Sequence, residues 1–303
     1  MKKSIRMTVG RVASPLLLLL LLLLSLGAAA VSAQPAAKTS ATPPKPQGQA
    51  PASTKRGVPA RVTETQIDSS IPDDPGVDKM LAPYSPKVRE LEVVVGKLMG
   101  ELKKSGMGSG SLGNFVADGM RMQASLKLGK PIDLAVMNGG GMRRNTIGEG
   151  ELRARDIFEL LPFENALVTL ELTGEQVMKL LGVVVSGREA QSGARITYLI
   201  KADKSAELES AKLLDKDGHE REIDPRAIYT VVTIDYLINV GGARYADLRE
   251  GKNVRPFGIT LRDAMIAYVK SETAAGRDIK PNLDGRFVLD RDKSVLTGEE
   301  PPQ

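Results

Sequence analysis

The first 60 residues divide into a leader-like segment and a proline-rich stretch, and this fixes where in the chain of 303 residues a fold must lie. Lys2, Lys3, Arg6 and Arg11 precede an unbroken leucine run, Leu16 to Leu24, and small residues ending in Val31-Ser32-Ala33. A positive start, a short apolar stretch and a small-residue site read as a signal peptide over residues 1–33, cleaved after Ala33. The competing reading is a retained membrane anchor. The stretch Leu16 to Val31 is short for a spanning helix, so no stable membrane insertion is expected after cleavage. Residues 34–66 read as a disordered, Pro/Ala-rich basic linker. From Pro35 to Pro59 there are six prolines, no acidic residue, and Val58 as the sole large aliphatic. Such a segment buries too little surface to offset the entropy of ordering. The protein is therefore expected to be periplasmic or secreted, with its fold in residues 67–290 and a flexible tail at 291–303.

Composition removes several chemistries. There is no Cys and a single His, His219. Disulfides, thiolate nucleophiles, Cys-ligated zinc and iron–sulfur clusters are excluded, as is a lipid anchor on cysteine. A multi-histidine metal site cannot be assembled, and a Ser-His-Asp triad would have to pass through His219. The net charge of +5 misleads: eight of the 42 basic residues lie in the first 60 positions without any acidic partner. The remainder carries 34 basic against 37 acidic residues, so nucleic acid is not an expected partner.

Residues 71–75, IPDDP, make a turn-rich start, and 85–92 suit a short helix before a strand at Val93 to Val95. Gly106 to Gly110 reads as a flexible loop. Ser111 is placed to cap a helix whose apolar face runs through Leu112, Phe115, Val116, Gly119 and Met120, with Gly119 marking close packing. Asp133 to Met137 is a short buried strand, followed by a helix at Ala154–Leu160 and a strand at Ala166–Leu172. Thr173 caps a helix over Gly174–Val184. Strands are expected at Arg195–Lys201, Ala227–Thr233 and Phe287–Leu289, a hairpin turn at Asp217-Gly218, and a helix at Leu261–Lys270 opened by Thr260 and Asp263. The order suggests an α+β fold: one domain, a mixed sheet packed by helices.

The most informative segment is Asn138-Gly139-Gly140-Gly141-Met142-Arg143. Three glycines at a strand end can expose main-chain N–H groups, an arginine can hold an anion, and an asparagine can hold a polar edge. The bland alternative is a bare turn packed on a neighbouring strand. Neither a Walker loop nor a GxGxxG opening a helix is present. Phe163, after the helix-ending Pro162, and Tyr236, in Asp235-Tyr236-Leu237, are each more ordinary as packing residues. They gain interest only if they face one another, where two rings can clamp a planar base. His219 belongs to the hairpin turn and reads as a surface residue.

Several motifs in order resemble the C-terminal domain of the secreted 5′-nucleotidase / UDP-sugar hydrolase family. They are Ser111-Leu-Gly-Asn-Phe-Val-Ala-Asp118, Asp133 through Arg143, Arg155 through Phe163, Val168 through Gly174, Asp224-Pro225 with Tyr229, Asp235-Tyr-Leu237, and Gly241-Gly242. The resemblance implies an α+β domain that binds the nucleoside part of a substrate, with Asn138 and Arg143 of the glycine motif contacting ligand and Phe163 and Tyr236 stacking on the base. Gly106 stands where the family commonly has an arginine, and Ala243 where it has an acidic residue that holds the ribose. Two polar contacts are thereby missing.

Family catalysis belongs to a separate metallophosphoesterase domain with a two-metal centre. Its ligand motifs do not occur upstream of Ile67, so no catalytic residue and no metal ligand is expected in this chain. No cofactor is expected either, unless a partner chain supplies the divalent metals. The expectation is a binding module for a nucleotide or nucleoside-like small molecule. The alternatives are phosphoester hydrolysis completed by a separate metallophosphoesterase chain, or a structural cell-envelope domain.

Overall fold

Residues 64–215 and 217–295 are described by a computed structural model of the chain. The signal peptide, most of the linker and residues 296–303 lie outside them. Among the described residues no helix is long and apolar enough to cross a membrane; the leucine run is not among them.

The strands, in chain order, are β1 (Val94–Leu98), β2 (Leu102–Lys103), β3 (Leu134–Met137), β4 (Thr146–Ile147), β5 (Gly150–Arg153), β6 (Ala166–Thr173) and β7 (Ala190–Ser192). They continue with β8 (Ala194–Ile200), β9 (Ala206–Leu214), β10 (Glu220–Arg221), β11 (Ile228–Ile234), β12 (Lys252–Thr260) and β13 (Phe287–Leu289). One principal sheet has the order β12-β6-β11-β3-β7 and a second has β10-β9-β8-β13, with β1-β5 and β2-β4 as small pairs. Both principal sheets are mixed: β11 runs parallel to β3 and β13 parallel to β8, and the other pairings are antiparallel. The architecture is thus α+β with helices on mixed sheets, the strands dividing between two principal sheets rather than filling one.

Local chemistry explains the main helices. Thr173 and Gln176 cap each other's backbone at the start of Gly174–Gly187, and Thr260 and Asp263 do the same for Leu261–Ala274. Helix Gly110–Leu128 buries most of one face, and at Gly119 it meets the 261–274 helix closely. A β-carbon there would lie 2.6 Å from both Met265 Sδ and Tyr268 Cδ1.

Three expectations are corrected. Ser111 does not cap its helix: the first turn begins at Gly110 after Ser109, and Ser111 Oγ accepts the Lys103 N–H at 2.9 Å instead. Gly106 to Gly110 is not a loose loop, because Met107, Gly108 and Ser109 are buried. At Gly108, with φ of 66°, a β-carbon would come 2.2 Å from the Phe287 ring. The fold also does not stop at residue 290. Ile200 N–H donates to Ser294 Oγ at 3.0 Å and Val295 N–H to Ile200 O at 2.8 Å, fastening 291–295 to the end of β8.

Candidate functional site

The five-stranded sheet brings three loops to one edge. β3 and β11 are parallel neighbours, so the turn after Met137 and the short helix Asp235–Asn239 after Ile234 leave at the same end. β6 is antiparallel to β11, with Leu167 opposite Ile234, so the segment entering β6 also arrives there. The glycine turn, the Phe163 segment and Tyr236 are therefore gathered by topology, outside the carboxyl ends of two parallel strands.

They line one cleft of about 410 Å³, walled by Asn138, Gly140, Gly141, Arg143, Phe163, Asn165 and Tyr236. Phe163 is 46% exposed and Tyr236 43%, so neither ring is a core residue. The Arg143 guanidinium carbon stands 5.8 Å from the Phe163 ring centroid. Among the described residues no carboxylate pairs with Arg143. The Asn138 side-chain oxygen is buried without a hydrogen-bond partner, an unmet acceptor at the cleft wall.

Gly139 departs from the expected set. It is buried in the 3₁₀ turn Gly139–Gly141 and does not line the cleft. Its N–H donates to Glu189 Oε2 at 2.6 Å. Gly141 N–H donates to Asn138 O, Met142 N–H to Gly139 O, and Arg143 N–H to Leu160 O. The Gly139, Gly141, Met142 and Arg143 amides are thus engaged, so the expected row of open amides is reduced to Gly140, which lines the cleft with Arg143.

Two residues to which the sequence assigned no role shape the site. Asn165 adds a second carboxamide to the wall. Asp235 Oδ1 accepts the Ala166 N–H at 3.0 Å and the Tyr236 N–H at 2.8 Å, tying the Phe163 segment to the Tyr236 helix. The preceding loop is held by Arg262, which donates to Pro162 O at 3.3 Å and lies 4.4 Å over the Phe158 ring.

A larger, shallower depression of about 700 Å³ lies along helix Gly110–Leu128, beside Arg121, Met122 and Tyr268. Its arginine is already spent on Ile132 O and Leu214 O. At the hairpin turn, Asp215, Asp217 and His219 offer ligand atoms within 4.8 Å of one another. His219 is exposed as expected, and Asp215 Oδ1 accepts the Asp217 and His219 amides at 2.8 and 2.9 Å. One imidazole and two aspartates on such a turn do not make a two-metal centre.

Fold and geometry together define the class: an α+β domain whose glycine turn and two ring-bearing segments meet in one cleft at a strand end. Residues 93–249, which include the whole cleft, match the family described as 5′-nucleotidase, C-terminal domain, and the chain belongs to that family. It is similar to protein UshA of Yersinia enterocolitica, at 28% identity over 246 residues, covering 80% of this chain and 40% of that protein. It is also similar to the trifunctional nucleotide phosphoesterase protein YfkN of Bacillus subtilis, at 27% identity over 184 residues, covering 58% of this chain and 12% of that one. The fold resembles the crystal structure of a 5′-nucleotidase precursor from Thermus thermophilus, with TM-score 0.59 and 24% identity, over 70% of this chain and 42% of that one. The chain thus spans less than half the length of these relatives.

Proposed function

We propose that this domain binds a nucleotide or nucleoside-like small molecule and does not hydrolyse it unaided. The observation that carries the reading is the cleft itself: two half-exposed rings, two carboxamides and a guanidinium with no carboxylate partner among the described residues, at one sheet edge. Rings suit a planar base, carboxamides its polar edge, and Arg143 an anionic group. Among the described residues no carboxylate or imidazole lines this wall, which supports binding without general-base chemistry. Hydrolysis completed by a separate metallophosphoesterase is the alternative reading, in keeping with relatives of which this chain covers 40% and 42%. The leader-like first 33 residues support action in the periplasm or outside the cell.

The test is calorimetric titration with adenosine, AMP, uridine and UMP, run beside a phosphate-release assay with Mn²⁺, Zn²⁺ or Co²⁺. The reading expects saturable binding of at least one of them and no metal-dependent release by the purified chain. Turnover that Asn138→Ala abolishes would contradict it.

A further inference from the structure

The Gly139 peptide is gripped by charge at both ends. Its N–H donates to Glu189 Oε2 at 2.6 Å, and Glu189 is only 7% exposed. Its carbonyl accepts Lys104 Nζ at 2.7 Å, and the same ammonium reaches Met142 O at 3.1 Å. Glu189 Oε1 accepts the Tyr245 O–H at 3.1 Å, with Arg244 Nη1 3.6 Å away. Burial first, and the adjacent Glu189 carboxylate second, push the Tyr245 phenol above its ordinary value, so it remains a donor. Space is as tight as the bonding. A β-carbon on Gly139 would lie 2.7 Å from Ser109 Oγ, and one on Gly187 would lie 2.2 Å from Arg244 Nη2.

A carboxylate on an N–H and an ammonium on the adjoining C=O form charge-assisted bonds, stronger than the neutral bonds a turn makes with itself. A buried carboxylate is costly unless such donors satisfy it. Glu189 and Lys104 do not line the cleft, but the turn they grip supplies Gly140, Gly141 and the flanking Asn138 and Arg143. Through Tyr245, Glu189 also reaches the segment that follows the Tyr236 helix.

We propose that Glu189 and Lys104 are positioning residues of the cleft: together they fix the shape of the Gly139–Met142 turn, and Glu189 ties that turn to the Gly242–Tyr245 segment. The consequence for ligand binding rests on the function proposed above; the consequence for the turn does not.

Amide NMR on the purified protein, with AMP and adenosine as calorimetric probes, tests both. The Gly139 amide proton is expected downfield of ordinary glycine amides and slow to exchange. Glu189→Ala should move it upfield and speed its exchange about tenfold or more. Glu189→Gln, which keeps an acceptor, should retain most of the protection. Lys104→Met should speed exchange at Met142, whose N–H donates to the Gly139 carbonyl, and Lys104→Arg should restore it. Where the parent binds AMP or adenosine, Glu189→Ala and Lys104→Met should weaken it about tenfold at unchanged stoichiometry. An unchanged Gly139 amide in Glu189→Ala would overturn the proposal, as would equal loss in the alanine and glutamine variants. If Glu189→Ala does not fold, the two Lys104 variants decide, and failure of Lys104→Met to alter Met142 exchange overturns it. A parent that binds neither probe contradicts the proposed function, while the amide readings still decide the positioning role.

Discussion

At the scale of single residues, Arg143 and the rings bear on different parts of a ligand. With the Gly139, Gly141 and Met142 amides engaged, an anionic group has Arg143 as its cationic partner on the cleft wall. A hydrogen bond to a charged group is worth about 1.5–3 kcal/mol. Arg143→Ala is therefore expected to weaken AMP binding about tenfold or more, and adenosine binding by less than about threefold, measured by calorimetry. Equal losses for both would show that Arg143 supports the wall rather than the anion. Resemblance of motifs singled out Asn138, Arg143, Phe163 and Tyr236, which the fold gathers. The same motifs did not disclose Asn165, which sits between Glu164 and Ala166 without periodicity or turn signal. Nor could they disclose Glu189, fifty residues from the glycine it holds. The direction of an amide follows from tertiary packing, which is why Gly139 was expected to face a ligand and instead faces a carboxylate.

At the scale of elements, the sequence was readable where local chemistry decides. The capping pairs Thr173/Gln176 and Thr260/Asp263, and the fully apolar β3, fall close to where residue pattern places them. β12 was not readable: most of its positions are exposed, it contains Pro256 and Gly258, and only pairing to β6 makes it a strand. Ser111 misled because a serine ahead of an apolar face signals a cap, whereas this one serves Lys103. Two packing predictions follow from contacts between elements. Gly119→Ala should destabilise the fold by about 1–3 kcal/mol through overpacking against Met265 and Tyr268, read as a lower urea midpoint.

Arg286, beside β13, bonds both oxygens of Asp118 on helix Gly110–Leu128, both of Asp284, and Gln191 O on β7. Removing one partner from a buried ion pair costs about 3 kcal/mol at the low end, the end that applies because both carboxylates are partly exposed; Arg286→Met should lose about that much. Burial opposes ionisation of Asp284, but its bonds to Arg286 hold its carboxyl below the ordinary value of 3.8. A depressed folded value makes its contribution complete above that pH and lost as the pH falls below it. The stability gap between parent and Arg286→Met should therefore narrow from pH 7 to pH 3. A gap independent of pH would assign the effect to packing alone.

At the scale of the whole molecule, the leader-like start makes its own prediction: intact mass of the exported protein should correspond to a chain beginning at Gln34, and a mature protein retaining Met1 would contradict the assignment. The central claim is that the cleft between the glycine turn and the two rings binds a planar ligand. It is tested most directly by calorimetric titration of adenosine into the parent and Phe163→Ala at equal protein concentration. Stacking on an aromatic is worth about 1–3 kcal/mol per base. The account predicts saturable binding in the parent, weakened about tenfold or more in the variant. No saturable heat in the parent at millimolar adenosine, or equal affinity in the two proteins, would contradict it.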